Sequence, residues 1–333
     1  MKIKELLSAS VKKLQGYKVN EVEHSIKLDD NSSPFEFSQK LREKWLKKIC
    51  NLKLNRYPDS TPQELLNLLA KLNNCDISNV SLGNGSDEII QYLIQMFINP
   101  SDKILIVTPS FAMFKIVPQI FGVELIEIPL IPTKTDWLLN MPNILKKLKS
   151  AKLVFLATPN NPTGNIFPKK QLLEIIEKTK GIIVIDEAYY DYSSFSYRSL
   201  LSKYNNLVVM RTFSKVFGLA GCRVGYLLAD SEIINYYNSV RLPYNINTLS
   251  QKTAEFVLEN IDEIKNNIAV LMSERCRLFD ELKKIKTLQV YKSASNFILF
   301  RCEYAEELYQ YSLEKSGILL KLFKDAPLEN CIR

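Results

Sequence analysis

Four apolar runs of this sequence lead into residues that can do chemistry. KLVFLA (152–157) enters Thr158-Pro159-Asn160-Asn161-Pro162-Thr163-Gly164. GIIVID (181–186) ends on Asp186, with Glu187-Ala188-Tyr189 behind it. NLVVMR (206–211) passes into Thr212-Phe213-Ser214-Lys215, with Arg223 eight residues later, and KILIV (103–107) precedes Pro109-Ser110-Phe111. These positions supply an amide, a carboxylate, a phenol, hydroxyls, an amine, a guanidinium and an aromatic ring. A fifth segment, Gly83-Asn84-Gly85-Ser86-Asp87-Glu88, opens directly onto an amphipathic stretch. A glycine turn at a helix N-terminus presents free N–H groups and the positive end of the helix dipole, which suits a phosphate. Each feature alone has an ordinary use. Ser86 and Asp87 are good helix caps, Asn-Pro-Thr-Gly is a turn, Asp186 suits a strand end as a cap, Arg223 can be a structural ion pair and Phe111 can be core. Their joint occurrence at successive strand ends points to one site.

Elements must carry these residues to a common edge. From about residue 60 to 230, short apolar runs, including VGYLLA (224–229), alternate with amphipathic stretches such as DEIIQYLIQMF (87–97) and KKQLLEIIEKTK (169–180). Near-continuous apolar runs suit strands buried on both faces. Alternation with helices predicts an α/β fold, a mainly parallel sheet covered on both sides. In such sheets ligands bind beyond the carboxyl ends of the strands. Further on, 250–285 reads as one long helical stretch, and SNFILFRC (295–302) and GILLKLF (317–323) flank the helical YAEELYQYSLEKS. This predicts a smaller α+β domain. The expected division is an N-terminal arm over 1–40, a large domain over 41–240 and a small domain over 241–333. Ile3, Leu6, Leu7, Val11 and Leu14 recur at helical spacing and predict a docking helix from Met1 to Tyr17.

Composition narrows the function. The 333 residues are 46% hydrophobic and 24% charged, and no apolar run approaches the roughly 20 residues of a membrane span. Met1 to Tyr17 lacks the uninterrupted apolar core of a signal peptide. Cys50, Cys75, Cys222, Cys276, Cys302 and Cys331 form no C-x-x-C pair or regular framework, so reduced thiols in a cytoplasmic protein are expected. His24, the one histidine, argues against a zinc site or a Ser-His triad and is expected at the surface. The net charge of +8 comes from lysines scattered among Glu and Asp, which argues against nucleic acid and leaves an anionic small molecule compatible.

NNPTG, DEAY and RTFSK followed by GLAGCRVGY, in this order, resemble the fold-type I pyridoxal-phosphate (PLP) aminotransferases, and the likeness runs the length of the chain. Within that superfamily the sequence is most similar to the histidinol-phosphate aminotransferases. The segments that carry this are LNRYPDSTPQEL (54–65), GNGSDEII (83–90), PSFAMF (109–114), VRLPYNINTLSQ (240–251), SNFILF (295–300) and LENCIR (328–333). The resemblance implies a large PLP-binding domain, a smaller α+β domain and pyridoxal 5'-phosphate as cofactor. Lys215 would bind the cofactor aldehyde as a Schiff base and serve as general base. Asp186 would pair with the ring nitrogen, where a carboxylate favours the protonated ring and so the stronger electron sink. Asn161 and Tyr189 would hydrogen-bond the phenolate oxygen, and Phe111 would stack on the ring. Ser86, Asp87, Thr212, Ser214 and Arg223 would anchor the phosphate. Tyr57 would reach the phosphate of a neighbouring subunit, which implies a homodimer with shared active sites.

The same resemblance implies transfer of an amino group between L-histidinol phosphate and 2-oxoglutarate in histidine biosynthesis. Tyr17, Asn31, Lys321 and Arg333 match its substrate positions. Ser32 and Ser33 depart from the family's Glu-Asn, Phe111 from a common tyrosine and Lys321 from an arginine. The family continues past the position of Arg333 with a strand and a helix, so the small domain is expected to be truncated. Alternatives on the same scaffold are a threonine-phosphate decarboxylase and an aromatic or broad-range aminotransferase. A truncated inactive copy and a non-catalytic PLP-binding protein are the others.

Overall fold

The computed structural model describes residues 3–14, 22–193 and 195–333. Its centre is a seven-stranded sheet of β1 (Val80–Asn84), β2 (Lys103–Thr108), β3 (Glu124–Pro129), β4 (Leu153–Ala157), β5 (Ile182–Asp186), β6 (Leu207–Thr212) and β7 (Val224–Ala229). The spatial order is β1-β7-β6-β5-β4-β2-β3. All neighbours are parallel except β7, which runs antiparallel to both β1 and β6. The five apolar runs named above are strands. β1 and β3 escape that pattern: VSLGN is short and polar in part, and ELIEIP alternates because β3 is an edge strand with one face toward solvent.

The apolar runs are continuous because both sheet faces are covered. Along β4, Val154 and Leu156 pack into one core with Leu105, Ile183, Ile185 and Val209. Leu153 and Phe155 pack into the other with Ile104, Val184, Val208 and Met210. Period-two alternation sends neighbours to opposite faces, so a strand with two cores has no polar position to spare. Each such side chain contributes about 2 kcal/mol by leaving water. Helices α1 (Gly85–Phe97) and α2 (Lys169–Lys178) cover opposite faces, α1 burying Ile89, Ile90 and Leu93, α2 burying Leu172, Ile175 and Ile176.

The C-terminal part differs in detail from its sequence reading. The long helical stretch breaks at Asn260 into α3 (Thr248–Glu259) and α4 (Ile261–Lys284). Asn260 caps the first segment's carbonyls through its own N–H and through its side chain on the Phe256 carbonyl, 2.8 Å away. SNFILFRC yields only a short strand, β8 (Phe300–Arg301). GILLKLF splits: Ile318–Leu319 pairs in parallel with Ile26–Lys27, and β9 (Leu322–Phe323) joins β10 (Cys331–Ile332), which lies between β9 and β8. The N-terminal docking helix is corrected. Among the described residues of that stretch, 3–14, only Ile3–Leu6 is α-helical, followed by a 3-10 turn at Val11–Lys13, and Ile3, Leu6, Leu7 and Val11 are exposed. Ser8 explains the break, its hydroxyl accepting from the Val11 N–H at 3.4 Å and so competing with the helical ladder. No helix among the described residues is long and apolar enough to cross a membrane.

Candidate active site

Sheet direction explains which residues share an edge. The carboxyl ends of β1, β2, β4, β5 and β6 point the same way, and the reversed β7 brings its amino end, beside Arg223, to that edge too. Register fixes the rest. Asp186 lies opposite Ala157 on one side and Met210 on the other, and Gly225 lies between Thr212 and Gly83. Gly225 has to be glycine, because a Cβ there would come within 2.7 Å of the Gly85 carbonyl carbon and 2.8 Å of the Ser86 nitrogen. Gly85, at φ +76, leaves room for the Arg223 guanidinium, which a Cβ would meet at 2.5 Å. The two glycines thus bring the N-terminus of α1 and a guanidinium close together.

In this cradle Arg223, itself in the left-handed region at φ 53, donates from Nη2 to Asp87 Oδ2 at 2.7 Å. The Ser86 and Asp87 N–H groups lie in the first turn of α1, where no helical carbonyl is available to them. Thr212 Oγ1 accepts the Ser214 N–H at 3.0 Å and donates to Ser214 Oγ at 3.0 Å, a tight turn that closes β6 just before Lys215. The donor set is anion-binding: helix N–H groups, hydroxyls and an arginine.

Asp186 is 4% exposed, and one oxygen accepts the Ala188 N–H at 2.9 Å. Burial pushes its carboxyl up to about 7; the Ala188 hydrogen bond opposes this, the Asp87 and Glu187 charges add to it, and the Lys215 charge opposes it. Lys215 Nζ donates to the Asp30 carbonyl at 2.9 Å and stands 5.9 Å from the centre of the Tyr189 ring. Tyr189 accepts at its hydroxyl from Asn31 Nδ2, 3.0 Å away. Phe111 packs edge-on against Phe114 at 5.6 Å, at the margin of the second core.

Arg333 reaches the same place from the small sheet. Its Nη1 donates to Asn161 Oδ1 at 2.6 Å, its Nη2 to the Asp29 carbonyl, and its guanidinium lies 5.3 Å from the Phe297 ring centre. Asn31, at φ 59, is tied by its carbonyl to Asn296 Nδ2 at 3.1 Å, and its Oδ1 is buried without a protein partner. Lys321 pairs with Arg333 through the main chain and keeps its side chain exposed. Tyr57 projects into solvent, 82% exposed, stacked on Tyr244 at 4.8 Å. Tyr17 lies outside the described residues.

Two supports went unread in the sequence. Asn160 is buried, accepting from Ser110 Oγ at 2.8 Å and donating to the Pro109 carbonyl at 3.0 Å and to Thr163 Oγ1 at 2.7 Å. It locks the turns after β2 and β4 together. Glu187 and Arg211 form a buried ion pair at 2.7 Å, with Arg211 also donating to Asn73 Oδ1 at 2.6 Å and covering the Tyr190 ring at 3.5 Å. The available signal was opposite charges at the ends of adjacent apolar runs.

The family model for aminotransferase class I and II matches residues 23–333. The chain belongs to this family. The class I and II aminotransferases most similar to it include the histidinol-phosphate aminotransferase of Ruminiclostridium cellulolyticum, 37% identical over 99% of this chain and 93% of that one. That of a Thermoanaerobacter species is 38% identical over 99% and 94%. Among solved structures, the histidinol-phosphate aminotransferase of Sinorhizobium meliloti in complex with pyridoxal-5'-phosphate superposes with a TM-score of 0.87 over 98% of this chain and 92% of that one, at 20% identity. This aminotransferase therefore has the fold-type I architecture.

Proposed function

We propose that this chain is a histidinol-phosphate transaminase, using pyridoxal 5'-phosphate to move an amino group between L-histidinol phosphate and 2-oxoglutarate. The observation that carries this reading is the convergence of Lys215, buried Asp186 and Arg333 on one strand edge, in a chain similar over almost its whole length to histidinol-phosphate aminotransferases. The residues fit the cofactor. The first turn of α1, Ser214 and Arg223 would hold its phosphate, the glycines at 85 and 225 letting that turn and that guanidinium approach each other. Asp186 would face its ring nitrogen, whose positive charge would keep the buried carboxyl ionised. Asn161 and Tyr189 supply polar groups for its phenolate, and Phe111 a flat apolar face. Bound there, the cofactor supplies an electron sink for the pair released at the substrate carbon.

The protein's own residues do the rest. Lys215 would hold the cofactor by its aldehyde, and its free Nζ would serve as the base that carries a proton from the substrate carbon to the cofactor. Its hydrogen bond to the Asp30 carbonyl fixes where that amine points. Arg333 grips the substrate's anionic group, the phosphate of one substrate and a carboxylate of the other, with Lys321 adding charge and Asn31 polar contact. Tyr17 completes the phosphate grip. The working unit is a cytoplasmic homodimer in which Tyr57 serves the partner's phosphate site. The exposed, stacked pair of Tyr57 and Tyr244, with Leu54 and Leu242 also exposed, supports that interface.

A half-reaction tests the substrate. Purified holoenzyme is mixed with L-histidinol phosphate, O-phosphothreonine or L-phenylalanine, and conversion of bound cofactor to pyridoxamine phosphate is followed by absorbance. The expected result is fast conversion with histidinol phosphate and slow conversion with phenylalanine. Conversion by phenylalanine alone would make this a broad-range aminotransferase, and carbon dioxide release from O-phosphothreonine would make it a decarboxylase.

A further inference from the structure

Two adjacent acids in the first turn of α1 are turned to different tasks. Asp87 faces Arg223 inside the cradle. Glu88 faces the other way. Its Oε2 accepts from the Asn84 backbone N–H and from Asn245 Nδ2, both at 2.6 Å, and its Oε1 accepts from Tyr92 Oη at 3.4 Å. The loop after residue 240 is thereby stitched to the cradle. Asn84 Nδ2 donates to the Asn245 carbonyl at 3.1 Å, and the Tyr92 hydroxyl accepts the Leu242 N–H at 3.1 Å.

From this loop the contacts pass to a third segment. Arg241 donates from Nη1 to Asn245 Oδ1 at 2.7 Å and from Nη2 to the Ser60 carbonyl at 2.9 Å. Gln251 Nε2 donates to the Asp59 carbonyl at 2.8 Å. Residues 59 and 60 follow directly on the stretch that carries Tyr57. The Tyr57 ring stacks on Tyr244, whose φ of 64 is a conformation that a tyrosine holds only where its surroundings impose it. One carboxylate therefore accepts from the backbone of the phosphate cradle and from the loop that props Tyr57.

We propose that Glu88 is a positioning residue that couples the cofactor-phosphate cradle of one subunit to the Tyr57 arm lent to its partner. The inference rests on the reading that Tyr57 serves the partner's phosphate site. A carboxylate suits the task because two donors converge on one oxygen, and hydrogen bonds to a charged acceptor are the stronger ones. Loading the cradle in one subunit and presenting Tyr57 to the other become one rigid arrangement.

A double-mutant cycle on the cofactor dissociation constant of the dimer tests this, using Glu88→Ala, Tyr57→Phe and the double variant, with unfolding midpoints measured alongside. Each single change is expected to weaken cofactor binding by roughly tenfold. The double variant is expected to bind no more weakly than the poorer single one, because without Glu88 the Tyr57 hydroxyl is no longer in place. Effects that multiply, or an unchanged constant in Glu88→Ala with only a lower midpoint, would reduce Glu88 to a helix cap and overturn the proposal. An unchanged constant in Tyr57→Phe would overturn the Tyr57 reading itself, and this proposal with it. If Glu88→Ala does not fold, Asn245→Ala opens the same bridge from its far end, and the cycle is read in the same way.

Discussion

Asp186 and Arg333 bring opposite charges to one site, yet they are held there by different means. Asp186 closes a five-residue strand that is paired on both sides, and its immediate neighbour Glu187 is locked in a buried ion pair with Arg211. Arg333 follows a two-residue strand and is held by side-chain bonds to Asn161 and the Asp29 carbonyl. The proposed cofactor side is thus fixed by the sheet itself, at a depth where an unpaired charge is costly. The proposed substrate side is assembled from loops and strand stubs, with Lys321 left exposed. Such a division lets substrate preference change without disturbing the cofactor chemistry, which is how one scaffold hosts many reactions.

The largest effect belongs to the cofactor side. Lys215→Ala should lower the transamination rate by roughly 10⁴-fold or more, since it removes both nucleophile and base. The fold should survive, because the half-buried Lys215 makes one side-chain hydrogen bond among the described residues. Steady-state rates and a urea titration check both halves. Turnover within tenfold of the unmodified enzyme would sink the assignment.

Asp186→Asn comes next, with a loss of roughly 10²- to 10³-fold in kcat. It also tests how strongly burial governs this side. In the protein without cofactor the Asp186 carboxyl is raised to about 7, above its unfolded value, so the native state holds the extra proton between about pH 4 and pH 7. Stability must then fall as pH rises through that window, by an amount on the order of 4 kcal/mol for this group. Denaturation midpoints of the apo-protein from pH 5 to 8 should show the slope, and Asp186→Asn should flatten it. Bound cofactor should flatten it as well, by pairing with the carboxylate. An equal slope in the asparagine variant would assign the effect to other groups.

The same contrast governs how much could be read from the sequence. The placement of Lys215, Asp186, Tyr189 and Arg223 at one sheet edge was legible because long apolar runs announce buried strands, and chemistry-bearing residues at their ends stand out against them. The supports were not. Asn160 looks like any turn asparagine until it is seen holding Ser110, Pro109 and Thr163 together. GILLKLF reads as one strand, yet its two halves join different sheets, because apolar patterning does not say which partner a two-residue strand will find. The N-terminal repeat of apolar residues predicted a helix that its own serines interrupt. Side chains that act across segments, such as Glu187 with Arg211, leave only a charge in an unexpected place.

On the substrate side, Arg333→Lys should raise KM for the phosphorylated donor by roughly 10- to 30-fold, because lysine keeps the charge and loses the planar fork. The cofactor dissociation constant should change far less. Equal losses in both would mean that the Asn161 contact makes Arg333 part of the cofactor side, and the division drawn above would fail.

The smallest effect is the most specific to this geometry. Lys321 and Arg333 exchange both main-chain hydrogen bonds, at 3.2 and 2.9 Å, so they are directly opposed residues whose side chains leave the strands on the same face. Lys321→Gln should raise KM for the phosphorylated donor roughly threefold and leave the stability of the substrate-free enzyme within about 0.5 kcal/mol, since the exposed lysine adds charge and little packing. The measurement is a pair of unfolding midpoints, with and without inorganic phosphate, beside the KM. Phosphate should raise the parent's midpoint more than the variant's, since Lys321 adds charge to the site that the anion would fill. A variant that is both less stable and equally active would show that Lys321 packs rather than binds, and would confine substrate recognition on the small sheet to Arg333.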